Sequence, residues 1–234
     1  MKKLAIFVEG LTEQLFVQKL LVEIAAKNHF TFELRRAFGG NRVPRRLITL
    51  TAANNPPDPS ALVMIIDCGT DNRVMSDVRD TYDKLVASDY SGIIALRDVY
   101  PEDRGDLPKL ELGAKYGIKT VPVLVNTVFA VMEVEAWFIA EYTHFQRIDP
   151  ALTKDFVEAK MGFDITACAV EDFGHPADIL NQIYQLAGHS YVKRRDSLQS
   201  CIDAIDYAAL YFGASNRSNS FRNLLVHLDT FVQN

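Results

Sequence analysis

The chain has 234 residues, with 30 acidic side chains against 25 Lys and Arg and a formal charge of −5, a balance that argues against nonspecific coating of nucleic acid. With 48% apolar and 24% charged residues, it has the composition of an ordinary globular protein, long enough for one large domain or two small ones. No apolar run approaches the roughly 20 residues that cross a bilayer, and no signal-peptide core precedes Glu9. Cys68, Cys168 and Cys201 are odd in number, far apart and in no CxxC pair, which fits reduced thiols, excludes a disulfide framework and makes zinc unexpected. The expectation is a cytoplasmic protein with no membrane contact.

Residues 3–9 read as a buried strand that turns through Gly10 into a helix carrying the stripe Phe16, Leu20 and Ile24. Residues 30–37 alternate as a strand at or near a sheet edge, and Asn54 to Pro59 punctuate the loop that follows. Further strands are predicted over 61–67 and 92–97, separated by a polar helix over about 73–87. After an acidic loop at 101–106 come a short helix from Pro108 to Tyr116, a strand from Val121 to Val125 and a second strand near 128–132. This alternation predicts an α/β fold with a mainly parallel, Rossmann-like sheet flanked by helices.

Beyond Glu133 the pattern becomes helical. Asp149-Pro150 suits a helix start, Pro176 opens a helix striped by Ile179, Ile183 and Leu186, and two more helices span 197–212 and 220–232. The predicted division is an α/β domain over 1–140 and a C-terminal helical region over 141–234 packed on it.

The chemistry lies at the strand ends. Three apolar runs finish on or next to an acid: Leu4 to Val8 before Glu9, Leu62 to Ile66 before Asp67, and Ile93 to Leu96 shortly before Asp98. Parallel strands present their carboxyl ends to one sheet edge, where ligands bind. Acids gathered there repel unless separated, protonated or bridged by a cation, and oxygen-only ligands favour magnesium, calcium or manganese. Glu9 and Glu13 are the candidate catalytic residues. Structurally, both also suit a helix N-terminus, and Glu13 in particular stands in the first turn.

Basic residues form clusters that can meet phosphates: Arg35, Arg36, Arg42, Arg45 and Arg46 around Gly39-Gly40, and Lys193, Arg194 and Arg195 further on. The bland alternative is a solvated surface whose arginines pair with the excess of acids. Neither a P-loop, a GxGxxG turn nor a GxSxG elbow is present in the sequence.

The stretch Phe7-Val8-Glu9-Gly10-Leu11-Thr12-Glu13 resembles the first motif of Toprim domains, the fold of topoisomerases, primases, OLD-type nucleases and maturation ribonucleases. That resemblance implies a general acid or base at Glu9 and a metal-holding Asp-x-Asp at the end of a later strand, matched here by Asp98. The second acid is missing, because Tyr100 occupies its place. Glu102 or Asp103 is one substitute, and Asp67 with Asp71 an alternative pair.

Across most of its length the sequence is similar to a bacterial Toprim-like family of unknown function, often linked to an ATPase partner in defence or toxin-like operons. The residues that carry this likeness are Met132-Glu133-Val134-Glu135-Ala136-Trp137, Tyr191-Val192-Lys193 and Ser220-Phe221-Arg222-Asn223-Leu224-Leu225. It implies a site role for Glu135. Helical geometry points Glu133 and Glu135 in different directions, so at most one of them is expected to face the site. The metal-ligand candidates are therefore Asp98, Asp67, Asp103 and Glu135, with Mg²⁺ or Mn²⁺ as cofactor.

Two functions follow. In the first, the protein is a metal-dependent phosphodiester hydrolase, a nuclease acting on DNA or RNA. In the second, it is a catalytically degenerate Toprim-like module that binds nucleic acid or an ATPase partner, as the Tyr100 substitution and the acidic charge favour.

Overall fold

A computed structural model describes residues 1–25, 30–40, 43–53 and 59–233. Arg42 and most of the 54–59 loop lie outside the described residues, as does the side chain of Asp71. The chain forms two compact units, one of residues 1–97, 106–129 and 226–234 and one of residues 98–105 and 130–225. The boundary is thus not a single cut near residue 140. The α/β unit also takes the last residues of the chain, and the second unit takes the short segments that leave the sheet.

In the α/β unit the elements run β1 (Lys2–Val8), α1 (Leu11–Ala25), β2 (Phe30–Gly40), β3 (Val43–Thr51), β4 (Ala61–Asp67), α2 (Asp71–Ala87), β5 (Gly92–Asp98), α3 (Leu107–Lys115) and β6 (Val125–Ala130). Six strands make one sheet in the order β3-β2-β4-β1-β5-β6. It is mostly parallel, with β2 and β3 as an antiparallel pair. Nearly every residue of β1, β4 and β5 is buried, and their continuous apolar runs follow from being covered on both faces. Helix α1 packs against β2 and β4, and α2 against β1.

Strand β3 differs from the loop expected after residue 37. Its nine residues, Val-Pro-Arg-Arg-Leu-Ile-Thr-Leu-Thr, lie at the sheet edge and are mostly exposed, so no buried apolar face marks them in the sequence. Proline and arginine on such an edge discourage pairing with another chain. The strand expected over 121–125 does not form, because Pro122 cannot donate to a ladder, and the strand expected near 128–132 lies slightly earlier, at Val125–Ala130. Tyr82 fixes the preceding loop instead, its hydroxyl donating to Val123 O and accepting from Val123 N–H.

The second unit is helical: α4 (Glu135–Ala140), α5 (Phe145–Ile148), α6 (Lys154–Met161), α7 (Pro176–Gln185), α8 (Arg195–Ala204), α9 (Tyr207–Phe212) and the first part of α10 (Asn219–Gln233). All six residues of α4 are buried, and the helix packs against α7 and α9. Trp137 donates to Ser220 Oγ at 2.8 Å and its ring meets Phe221. Asp149 makes a turn by accepting from Ala151 N–H, so the next helix begins after Thr153, which caps it. The helix expected over 197–212 breaks at Asp206, whose N–H goes to the buried carboxylate of Glu141 while its side chain caps α9.

Arginines thread both units internally. Arg217 donates to the carbonyls of Ala140, Ile165 and Cys168. Arg45 grips both oxygens of Asp77, at 2.8 and 2.5 Å, and also donates to Cys68 O. Since Asp77 is nearly fully buried, Asp77→Ala strands a partly buried guanidinium and is expected to cost about 2–3 kcal/mol in urea unfolding. A loss below about 0.5 kcal/mol contradicts the structural role given to this pair.

Candidate functional site

Just past the strand ends, backbone hydrogen bonds continue the pairing of the two departing segments. Val99 N–H donates to Ala130 O at 3.0 Å and Tyr100 N–H to Met132 O at 2.9 Å. Met132 has φ +61, the left-handed region that a β-unbranched side chain enters at a cost of about 1–2 kcal/mol. That turn redirects the chain immediately before Glu133, and α4 begins only at Glu135.

Consequently Asp98, Glu133 and Glu135 each bring a carboxylate oxygen within 4.8 Å of the others, and all three residues are buried. This corrects the expectation that only one of the two glutamates reaches the site. The helical rule does not apply to Glu133, because it precedes the helix and follows a left-handed residue.

Each carboxylate is oriented by a donor from a different segment. Val134 N–H donates to Asp98 Oδ1 at 3.2 Å, Ala177 N–H to Glu133 Oε2 at 2.9 Å, and Tyr191 O–H to Glu135 Oε1 at 2.7 Å. Ala177 lies in the first turn of α7, where helix N–H groups favour a negative partner. The Lys193 ammonium approaches Glu135 Oε1 at 3.3 Å and Glu133 Oε1 at 3.6 Å, with its side chain half-exposed. Glu135 is fully buried, and among the described residues nothing donates a hydrogen bond to its Oε2.

Glu133 and Glu135 therefore share the Lys193 ammonium, with the Asp98 carboxylate clustered beside them. At these separations each like pair repels by roughly 3–4 kcal/mol at an effective dielectric of about 20. Lys193 offsets only part of this, because its exposed end is screened by water. Burial first, and then the charge of Glu135, push the Glu133 carboxyl above its ordinary value, against the opposing pull of Ala177 N–H and Lys193. An all-oxygen, partly unsatisfied donor set of this kind suits a hard divalent cation, so the residues present fit Mg²⁺ or Mn²⁺.

The other candidates go elsewhere. Asp103 is exposed and Tyr100 packs edge-on against His175 at 4.9 Å; Asp103 is not among the clustered carboxylates of the described residues. Asp67 pairs with Arg36 at 3.2 Å and accepts from Gly69 N–H. Burial raises its pKa even so. Glu13 accepts from Gly10 N–H at 2.8 Å, the reciprocal half of a capping box at the start of α1. Glu9 directly follows β1 in the α/β unit.

Among the proposed phosphate contacts, Arg35 pairs with Glu33 and Arg45 with Asp77. Arg45 is thus committed to the fold. Arg36 is half-exposed over Phe38 while pairing with Asp67, and Arg46 and Arg194 are exposed. For Glu133 the sequence holds one signal, its place two residues before Glu135 in the motif. Compared with known protein families, curated proteins and solved structures, the chain finds no match.

The crowding has a signature in stability. A carboxylate whose native pKa exceeds its unfolded value holds its proton better in the native state, so stability falls as pH rises through that window, from about 4.5 upward. In EDTA, Glu133→Gln is expected to raise Tm at about pH 8 and to flatten the pH dependence of unfolding above about pH 5. A lower Tm for this variant at that pH contradicts the crowding.

Proposed function

We propose that this protein is a divalent-cation-dependent hydrolase of phosphodiester bonds, a nuclease whose metal is held by Asp98, Glu133 and Glu135. The observation that carries the proposal is the buried carboxylate cluster, oriented by three separate donors and left with an unsatisfied Glu135 oxygen. Bound there, Mg²⁺ or Mn²⁺ supplies Lewis-acid polarisation of a phosphoryl oxygen and neutralises charge on the leaving oxygen.

The chain's own groups do the rest. Tyr191 holds Glu135 in place, and exposed Arg194 and Arg195 offer cations to a phosphate backbone close in sequence to Lys193. The resemblance to Toprim-like proteins supports this reading through the order of the motifs, and it gives Glu9 the task of moving a proton to or from water or the leaving group. No helix among the described residues is long and apolar enough to cross a bilayer.

A second reading, a degenerate module that binds nucleic acid or an ATPase partner, is favoured by Lys193, because an ammonium inside the cluster can serve as a permanent structural counter-ion. Incubation of plasmid, single-stranded DNA and RNA with Mg²⁺ or Mn²⁺ separates the two. Hydrolysis is expected in the presence of metal, with Asp98→Asn and Glu135→Gln each lowering it by about a hundredfold or more. Glu9→Gln is expected to lower it by about 10²–10⁴-fold with metal binding retained. Cleavage that persists in both cluster variants removes the hydrolase mechanism, and the absence of any cleavage or metal affinity leaves the binding module.

A further inference from the structure

We propose that Lys193 is a resident counter-ion that a divalent cation must displace, so that the ammonium and the metal are alternative occupants of one carboxylate site. The inference rests on the reading of that cluster as a cation site. It adds a regulatory step to that site: metal entry releases a lysine toward solvent.

The contacts on either side of Lys193 show what can move. Tyr191 is buried, donates its hydroxyl to Glu135 Oε1 and its backbone N–H to the Asn181 side-chain oxygen, and packs edge-on against Tyr184. Val192 N–H is held by Ser197 Oγ, which in turn donates to Ser190 O. The backbone around Lys193 is therefore stapled from both directions. Its side chain is half-exposed and makes charge contacts at 3.3 and 3.6 Å, longer than the roughly 2.7–2.9 Å of a tight ammonium–carboxylate hydrogen bond.

A long, flexible side chain can give up these two glutamate contacts without disturbing the segment that carries it. Nor does Lys193 complete the site, since Glu135 Oε2 remains without a donor while it is present. A divalent ion bonded to the glutamate oxygens that Lys193 approaches would lie within a few ångströms of a second positive charge. At that separation, beside buried glutamate oxygens, the two positive charges repel and compete for the same ligand atoms. Tyr191 carries no charge and stays with Glu135 in both states, so Glu135 keeps its orientation throughout.

The test measures Mn²⁺ binding to the full chain by calorimetry for the wild type, Lys193→Met and Lys193→Arg. Removing the competing charge is expected to tighten Mn²⁺ binding by about tenfold or more in Lys193→Met, with Lys193→Arg at or below the wild-type affinity. As a second measurement, amine-directed acetylation of the wild type followed by peptide mass spectrometry is expected to show Lys193 labelled faster in saturating Mn²⁺ than in EDTA. Unchanged or weaker binding in Lys193→Met, or labelling of Lys193 that Mn²⁺ does not increase, overturns the displacement while leaving the metal site standing. Failure of both the wild type and Lys193→Met to bind Mn²⁺ overturns the metal site itself, and the displacement with it.

Discussion

Three carboxylates confined within 4.8 Å of one another, largely out of water, are the constraint around which the second unit is built. Such an arrangement persists only if surrounding structure fixes it and some positive charge compensates it. Compensation comes from the half-exposed Lys193 ammonium and from dipolar donors that include the Val134 and Ala177 N–H groups and the Tyr191 hydroxyl. The fixing is done by the Val99 and Tyr100 backbone bonds, by the left-handed turn at Met132, and by helix α4, buried along its whole length. Each element of that frame makes sense as a means of holding acids where they would otherwise separate.

The central strands were legible because β1, β4 and β5 are covered on both faces, and their apolar runs could form little else. Strand β3 was not legible. Its side chains face solvent along nearly its entire length, and nothing in Val-Pro-Arg-Arg distinguishes an edge strand from a loop. The break at Asp206 was equally hidden, since it depends on the carboxylate of Glu141, far away in sequence, accepting that backbone N–H.

Within the site, Asp98 could be read from its place at the end of a strand, and Glu135 from the resemblance. Glu133 escaped because residues two apart diverge in a helix, and the sequence does not reveal that the helix starts two residues later. The positive charges misled in a similar way. Arg35, Arg36 and Arg45 look like a phosphate-binding cluster, yet their partners Glu33, Asp67 and Asp77 bind them within the fold. Two of those partners are distant in sequence, so the pairing appears only when strands and helices are assembled. Much of the chain's positive charge is spent neutralising its own acids, and Arg46, Arg194 and Arg195 are left exposed.

The most direct measurement is anomalous diffraction at the manganese edge from crystals of the full chain grown in Mn²⁺. The account predicts an anomalous peak bonded to oxygens of Asp98, Glu133 and Glu135, with the Lys193 ammonium turned away. A peak held only by other carboxylates, or no peak with Lys193 still resting on both glutamates, would contradict it.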